Sequence, residues 1–290
     1  MDGERSPEDV TARLASAIED LLRKAPRGAP RLDSWRAWHY ALARMKTPIA
    51  AVLVIGNEVL SAKVRDENGP YAARRLHDRG VQLAAVLTLP DRLDVLEEAI
   101  VRERQRVDWL FTSGGVGPTH DDVTALAVSR ALRRPLVRHP QMVETIRGWH
   151  LRHGAEPPEA ALRMADVPEG TRLVGDLAYP VMVVENVVML PGPPQFFRVQ
   201  FDLFTAALES TPFQLACVYV SIPEDRFAAE LDRIASQHPE VEIGSYPRFD
   251  EADHRVRITF ESKDRGRVEE AMLAFLAVLP AGAVVRREDP

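Results

Sequence analysis

The residues with the most chemical content lie in one run, Thr112-Ser113-Gly114-Gly115-Val116-Gly117-Pro118-Thr119-His120-Asp121-Asp122. The run follows the apolar stretch Trp109-Leu110-Phe111, which reads as a strand, and leads into a pattern that reads as a helix over 122–132. Gly114, Gly115 and Gly117 allow φ > 0 and let the backbone come close to a ligand. Loop amides and the helix start behind them then converge on one spot that favours an anion. A tight turn without a ligand would use the same glycines. The hydroxyls of Thr112, Ser113 and Thr119 tip the reading towards a binding site. Val at position 115 is expected to block a ligand more than it weakens the fold.

Asp121 and Asp122 sharpen the reading. Two like charges about 4 Å apart repel by roughly 4 kcal/mol at an effective dielectric near ~20. A divalent cation (Mg, Mn or Co) removes that repulsion and bridges phosphate oxygens. Asp122 also suits a helix N-terminus by its charge alone. A second cluster, Gly56-Asn57-Glu58, follows the apolar run Ile49–Ile55. Glu58 offers a metal ligand or a base, and Asn57 a neutral hydrogen-bond partner. By spacing alone, Asn68 and Asp91 read as caps of the helices that follow them. Pro191-Gly192-Pro193 closes another apolar strand with a rigid turn that can wall a pocket. His120 is the one histidine placed at this site, and His150 and His153 lack a third metal partner.

These residues need a scaffold that brings several strand ends to one edge. Continuous apolar strands alternate with helical patterns from Pro48 onward, which predicts a mostly parallel sheet covered by helices, an α/β domain. Ligands of such sheets sit beyond the carboxyl ends of the strands. Near residue 210 the order changes to βαββαβ, a small ferredoxin-like α+β domain. Residue ranges 1–47, 48–209 and 210–290 are therefore read as a helical N-terminal extension, the α/β domain and the α+β domain. A helix is predicted over 224–237.

Composition narrows the function classes. The chain has 290 residues, 46% of them hydrophobic and 28% charged, enough to bury two cores. Its net charge of -6 lacks the basic excess of nucleic-acid binders. The lone Cys217 excludes an internal disulfide. With neither a secretory leader nor an apolar membrane span, the sequence reads as cytoplasmic.

Taken in order, Gly56-Asn57-Glu58-Val59-Leu60, Pro90-Asp91, the glycine run through Thr124, and Leu190-Pro191-Gly192-Pro193-Pro194 resemble the molybdopterin-binding-like domain. That domain is shared by molybdenum-cofactor biosynthesis proteins and the N-terminal half of CinA. Ile243-Gly244-Ser245-Tyr246-Pro247 and the stretch after it resemble the region that follows this domain in FAD synthases. The resemblance implies a three-layer α/β domain. It also assigns function to Asp91 and Asp122, with Asp121 as the added acid of the CinA type. The segment 175–184 lacks the Gly-Thr-Ala-Pro-Gly run common in CinA. The chain ends at Pro290, so neither a deamidase domain nor an adenylyl-transferring half is expected.

The expected function is metal-dependent hydrolysis of a nucleotide diphosphate of the FAD or ADP-ribose type. Asp91, Asp122 and Glu58 would be catalytic, and Asp121 with Asp122 would hold the metal. Gly56, Asn57, Asn68, Thr112, Ser113, Gly114, Gly115, Gly117, Pro118, Thr119, Pro191, Gly192 and Pro193 would bind the ligand. Molybdopterin binding for cofactor biosynthesis and a non-catalytic nucleotide-binding module are the alternatives. The expected partner is a small nucleotide or pterin, not nucleic acid or membrane, and the chain is expected to form a homo-oligomer. Trp35, Trp38 and Tyr40 suit an interface better than a solvated tail. Truncation to start at Thr47 should therefore lower the mass measured by light scattering, and an unchanged oligomer would rule the extension out as the contact.

Overall fold

The structure, a computed structural model, describes residues 47–175, 179–208, 210–248 and 253–290. The N-terminal extension, with its aromatic residues, lies outside the described residues. The chain divides into two compact units between Ser210 and Thr211.

The first unit is built on a six-stranded sheet, with order β2-β1-β3-β8-β7-β6. Its strands are β1 (Ile49–Ile55), β2 (Gln82–Leu89), β3 (Trp109–Ser113), β6 (Arg172–Val174), β7 (Val181–Val184) and β8 (Val187–Leu190). β2, β1, β3 and β8 run parallel, and β7 and β6 complete the sheet antiparallel. A separate pair, β4 (Leu136–Arg138) and β5 (Asp166–Pro168), is antiparallel. Its strands, like β6, are three residues long, too short to show a period in the sequence.

Alternate residues of the central strands feed two cores, which is why they read as unbroken apolar runs. Ala51, Leu53, Ile55 and Leu110 pack with Leu96 and Ile100 of α3 (Leu93–Arg104), Val128 of α4 (Thr124–Ala131) and Met142 of α5 (Pro140–Arg152). On the opposite face, Val52, Val54 and Phe111 pack with Leu76 of α2 (Asn68–Asp78) and with Phe197 and Phe201 of α7 (Pro194–Thr205). The three-layer expectation holds. Two short helices, α1 (Asn57–Leu60) and α6 (Glu159–Leu162), complete this unit.

The second unit contains β9 (Gln214–Val220), α8 (Ala228–Gln237), β10 (Glu242–Pro247), β11 (Val256–Ser262), α9 (Arg265–Val278) and β12 (Val284–Glu288). Its antiparallel order, β10-β11-β9-β12, is that of a βαββαβ ferredoxin-like unit. The helix expected over 224–237 is divided. A 3₁₀ turn, Glu224–Arg226, is followed by Phe227 at φ -140°, which breaks the helical path and buries its ring in the core.

Phe201 anchors α7, the helix that begins at the turn after β8. Its ring is fully buried and lies 4.9 Å from Phe111 and 5.2 Å from Phe197. Phe201→Ala should cost about 3–5 kcal/mol in denaturant unfolding, and a change under ~1 kcal/mol would show that the core collapses freely around it.

Candidate active site

Four parallel strands, β2, β1, β3 and β8, deliver their carboxyl ends to one edge of the large sheet, and the loops that leave them are tied together. Gly56, after β1, donates its N–H to the Leu89 carbonyl at 3.1 Å. The next amide, on Asn57, donates to Asp91 Oδ2 at 2.8 Å. Asp91 thus caps α1, a remote helix, rather than its own; the cap position of α3 is Arg92, with no side-chain bond. A Cβ on Gly56 would lie 2.4 Å from Glu58 Oε1, so the Glu58 carboxylate folds back over that glycine. Asn57 and Glu58 are both exposed.

Asn68 does not cap α2 with its side chain. Asp66 does, accepting from the amides of Asn68 and Gly69 at 2.9 and 3.0 Å. The buried Asn68 side chain is thereby free to donate through Nδ2 to Ser113 Oγ at 2.8 Å and to the Gly192 carbonyl at 2.7 Å. A carbonyl only accepts, so the amide orientation is fixed. Asn68 pins the end of β3 to the Pro191-Gly192-Pro193 turn. Its Oδ1 and the buried Thr112 Oγ1 lack partners among the described residues.

The glycine loop is held from within. Gly114 (φ +102°) donates its N–H to the Leu190 carbonyl at 3.0 Å, and a Cβ there would sit 2.4 Å from the Ile55 carbonyl oxygen. Gly115 (φ +66°) accepts from the Thr124 amide at 2.9 Å, while Thr124 Oγ1 donates to the Gly114 carbonyl at 2.8 Å. These bonds draw the chain back on itself and delay α4 to Thr124, two residues after the expected start. Gly117 has no positive φ; it leaves room for the Asp122 carboxylate, which a Cβ would approach to 2.7 Å. The amides of Gly115, Val116 and Gly117 have no partner among the described residues. Consecutive free N–H groups on such a loop make an anion-binding concavity.

Asp122 therefore sits in the loop. Its Oδ2 accepts from the Thr119 amide at 2.7 Å and lies 2.6 Å from Thr119 Oγ1. Asp121 Oδ1 is 2.5 Å from the same hydroxyl, so two carboxylates compete for one proton donor. The Thr119 hydroxyl, and then backbone bonding at Asp121, hold the Asp121 carboxyl below the usual carboxylate range. His120 is 98% exposed, 3.9 Å from Asp121, and touches nothing else that would make it catalytic. No described group of three or more Asp, Glu, His or Cys side chains is placed to hold a metal without help.

Three contacts were hidden from sequence reasoning because they join distant segments. Arg163 Nη2 donates to the Pro118 carbonyl at 3.0 Å. The Tyr179 hydroxyl donates to the Val116 carbonyl at 3.1 Å, and Gln200 Nε2 donates to the Tyr179 carbonyl at 2.7 Å. Burial pushes the Tyr179 phenol up, and the nearby Asp122 carboxylate adds to the shift, so the hydroxyl remains a donor. Loop carbonyls are thus turned towards Arg163 and Tyr179.

Comparison with known proteins fits this architecture. Residues 51–210 match the family model described as a probable molybdopterin binding domain, and residues 212–288 match that of the FAD synthase middle domain. The chain belongs to the molybdopterin-binding-domain family.

A protein of Archaeoglobus fulgidus is 31% identical over 79% of this chain and 96% of its own length. A probable FAD synthase of Caenorhabditis elegans is 29% identical, covering 81% of this chain and 50% of the relative, so the chain spans about half of that protein. A CinA-like protein of Thermotoga maritima is 28% identical over 78% of this chain and 57% of the relative. The crystal structure of CinA from Thermoplasma acidophilum shares the fold, with 24% identity and a TM-score of 0.50 over 56% of this chain and 99% of that one.

In this family member Gly115 also has a part in the fold that the sequence reading set second to ligand binding. A Cβ there would meet Thr124 Oγ1 at 2.3 Å, in a backbone conformation that L residues rarely adopt. Gly115→Val should lose at least about 1–3 kcal/mol of stability from backbone strain. A wild-type unfolding midpoint combined with lost ligand binding would instead assign the glycine to the ligand alone.

Proposed function

We propose that the chain is a divalent-metal-dependent pyrophosphatase that splits a nucleotide-containing diphosphate, of the FAD or ADP-ribose type, into two monophosphates. The observation that carries this reading is the pair Asp121 and Asp122 drawn to one hydroxyl beside three unpartnered loop amides. The donor set suits Mg²⁺ or its analogues, which are held by one or two carboxylates together with substrate phosphates rather than by an all-protein cage. Two carboxylates without a third protein ligand meet that pattern. A bound metal would neutralise charge on the bridging phosphoryl oxygens.

The chain's own groups supply the rest. The amides of Gly115, Val116 and Gly117 bind one phosphoryl group. Arg163 and Tyr179 keep the loop carbonyls turned aside, so that the amides meet the anion. Glu58 lies on the α1 turn, where its exposed carboxylate is available to orient and deprotonate water. Asp91 has one oxygen committed to the Asn57 amide and acts by positioning that turn. The match of residues 212–288 to an FAD synthase middle domain supports a dinucleotide as ligand. Molybdopterin binding is the second reading, favoured by the match of residues 51–210. Among the described residues no helix is long and apolar enough to cross a membrane.

The test is product analysis after incubation with FAD or ADP-ribose and Mg²⁺, Mn²⁺ or Co²⁺. AMP should form only with metal. Asp122→Asn should reduce turnover by at least about ten- to a hundredfold, the loss seen even when only a partner of a metal ligand is removed, with little change in melting temperature because an amide oxygen still accepts from Thr119. No AMP above the metal-only control, with tight molybdopterin binding, would replace this reading by the second.

A further inference from the structure

The FAD-synthase-like motif around Gly244 plays no part in the glycine-loop site, yet in the second unit it builds something specific. One face of the antiparallel sheet is covered by α8 and α9, through Ala216, Val218, Val220, Ile258 and Phe260. The alternate residues face away from that core. In one cross-strand row, Tyr246 of β10 pairs with Arg257 of β11, Arg257 with Tyr219 of β9, and Tyr219 with Arg286 of β12. The row spans all four strands and alternates aromatic and cationic side chains.

The guanidinium groups are ordered by the rings. Arg257 Cζ lies 5.1 Å from the Tyr246 ring centroid, and Arg286 Cζ lies 3.9 Å from that of Tyr219. Tyr219 is fixed in turn by donating its hydroxyl to Glu288 at 3.1 Å. Gly244 makes room for this arrangement. A Cβ there would lie 2.7 Å from both Cε2 and the hydroxyl of Tyr246, so the ring lies back over the glycine. Among the described residues no carboxylate lies within 4 Å of Arg257 or Arg286, although Arg286 helps to hold the Asp253 carboxyl below its usual range, whereas Arg265, Arg267 and Arg287 each pair directly with an acid. Arg248 and Arg255 extend the same end of the sheet, joined by a backbone bond at 2.7 Å and likewise without carboxylate partners among the described residues. Arginines stacked on aromatic faces keep their planar forks free for bidentate phosphate contacts.

We propose that this row is a second anion site, which takes a small ligand carrying at least two phosphoryl groups. Arg257 and Arg286 stand two strands apart, about 10 Å between backbones, and both side chains are long enough to close on one diphosphate. The opposite end of the same face carries Glu242 and Glu261, while Glu288 borders the row and holds the Tyr219 hydroxyl. The unit holds fifteen Asp and Glu against ten Lys and Arg. A nucleic-acid strand crossing the sheet would run onto those acids, whereas a short polyanion stays at the basic end. The site belongs to the second unit and does not depend on the pyrophosphatase reading.

The test uses the full chain in EDTA, which removes any metal contribution at the glycine loop, and inorganic pyrophosphate as the calorimetric probe; binding by the loop amides is then a background common to the wild type and the variants of the second unit. The double variant Arg257→Gln/Arg286→Gln should bind about tenfold or more weakly, as expected for lost charge-assisted hydrogen bonds. Gly244→Ala should also weaken binding although every charge remains, because it displaces Tyr246. Arg286→Gln alone, at an exposed residue, provides the same readout if the double variant is unstable. The proposal is overturned if wild type fails to bind pyrophosphate, if the arginine variants bind like wild type, if Gly244→Ala has no effect, if inorganic phosphate binds as well as pyrophosphate, or if a single-stranded oligonucleotide binds more tightly than either.

Discussion

At the carboxyl edge of the large sheet, backbones pass so close together that only glycine fits between them. Gly114 packs against the Ile55 carbonyl, whose oxygen a Cβ would approach to 2.4 Å. This close approach ties the loops after β1, β3 and β8 into one unit, with the buried Asn68 amide as its cross-link. A side chain at position 114 would force β1 and the glycine loop apart. The free amides, the acid pair and the Pro191-Gly192-Pro193 turn all take their positions from that contact.

The acids are distributed, not clustered. Asp66 and Asp91 are spent on backbone amides and hold helix starts in place. Asp121 and Asp122 are left at the loop rim, sharing a hydroxyl that can serve only one of them at a time. An arrangement that leaves two carboxylates under-satisfied beside unpartnered amides is suited to a ligand that brings both cation and phosphate. In the proposed function the phosphates of the substrate would complete the metal's ligands, so a group of three protein ligands is not required.

What the sequence made legible follows from range. The strands at 49–55 and 109–112 are readable because both of their faces are buried, and the glycine loop because Gly114 and Gly115 set its path. Asp91 looked like a local cap because its spacing fits one; its true partner is 34 residues away, and only the fold brings Asn57 to it. Asn68 was misread for the converse reason, since Asp66 already performs the capping. Tyr179 and Arg163 reach the glycine loop across 63 and 45 residues, contacts that no local pattern encodes. Phe227 interrupts the helical pattern over 224–237 because its ring is buried in the core.

The central claim, a cation held jointly by the Asp121–Asp122 pair and the ligand's phosphates, is tested most directly by Mn²⁺ binding measured by electron paramagnetic resonance with and without a non-hydrolysable ADP-ribose analogue. The account predicts weak Mn²⁺ binding to the protein alone, tightened about tenfold or more by the analogue through coupling of ~1–3 kcal/mol, and no tightening in Asp122→Asn. Mn²⁺ affinity that is the same with and without the analogue, or the same in wild type and Asp122→Asn, would contradict it.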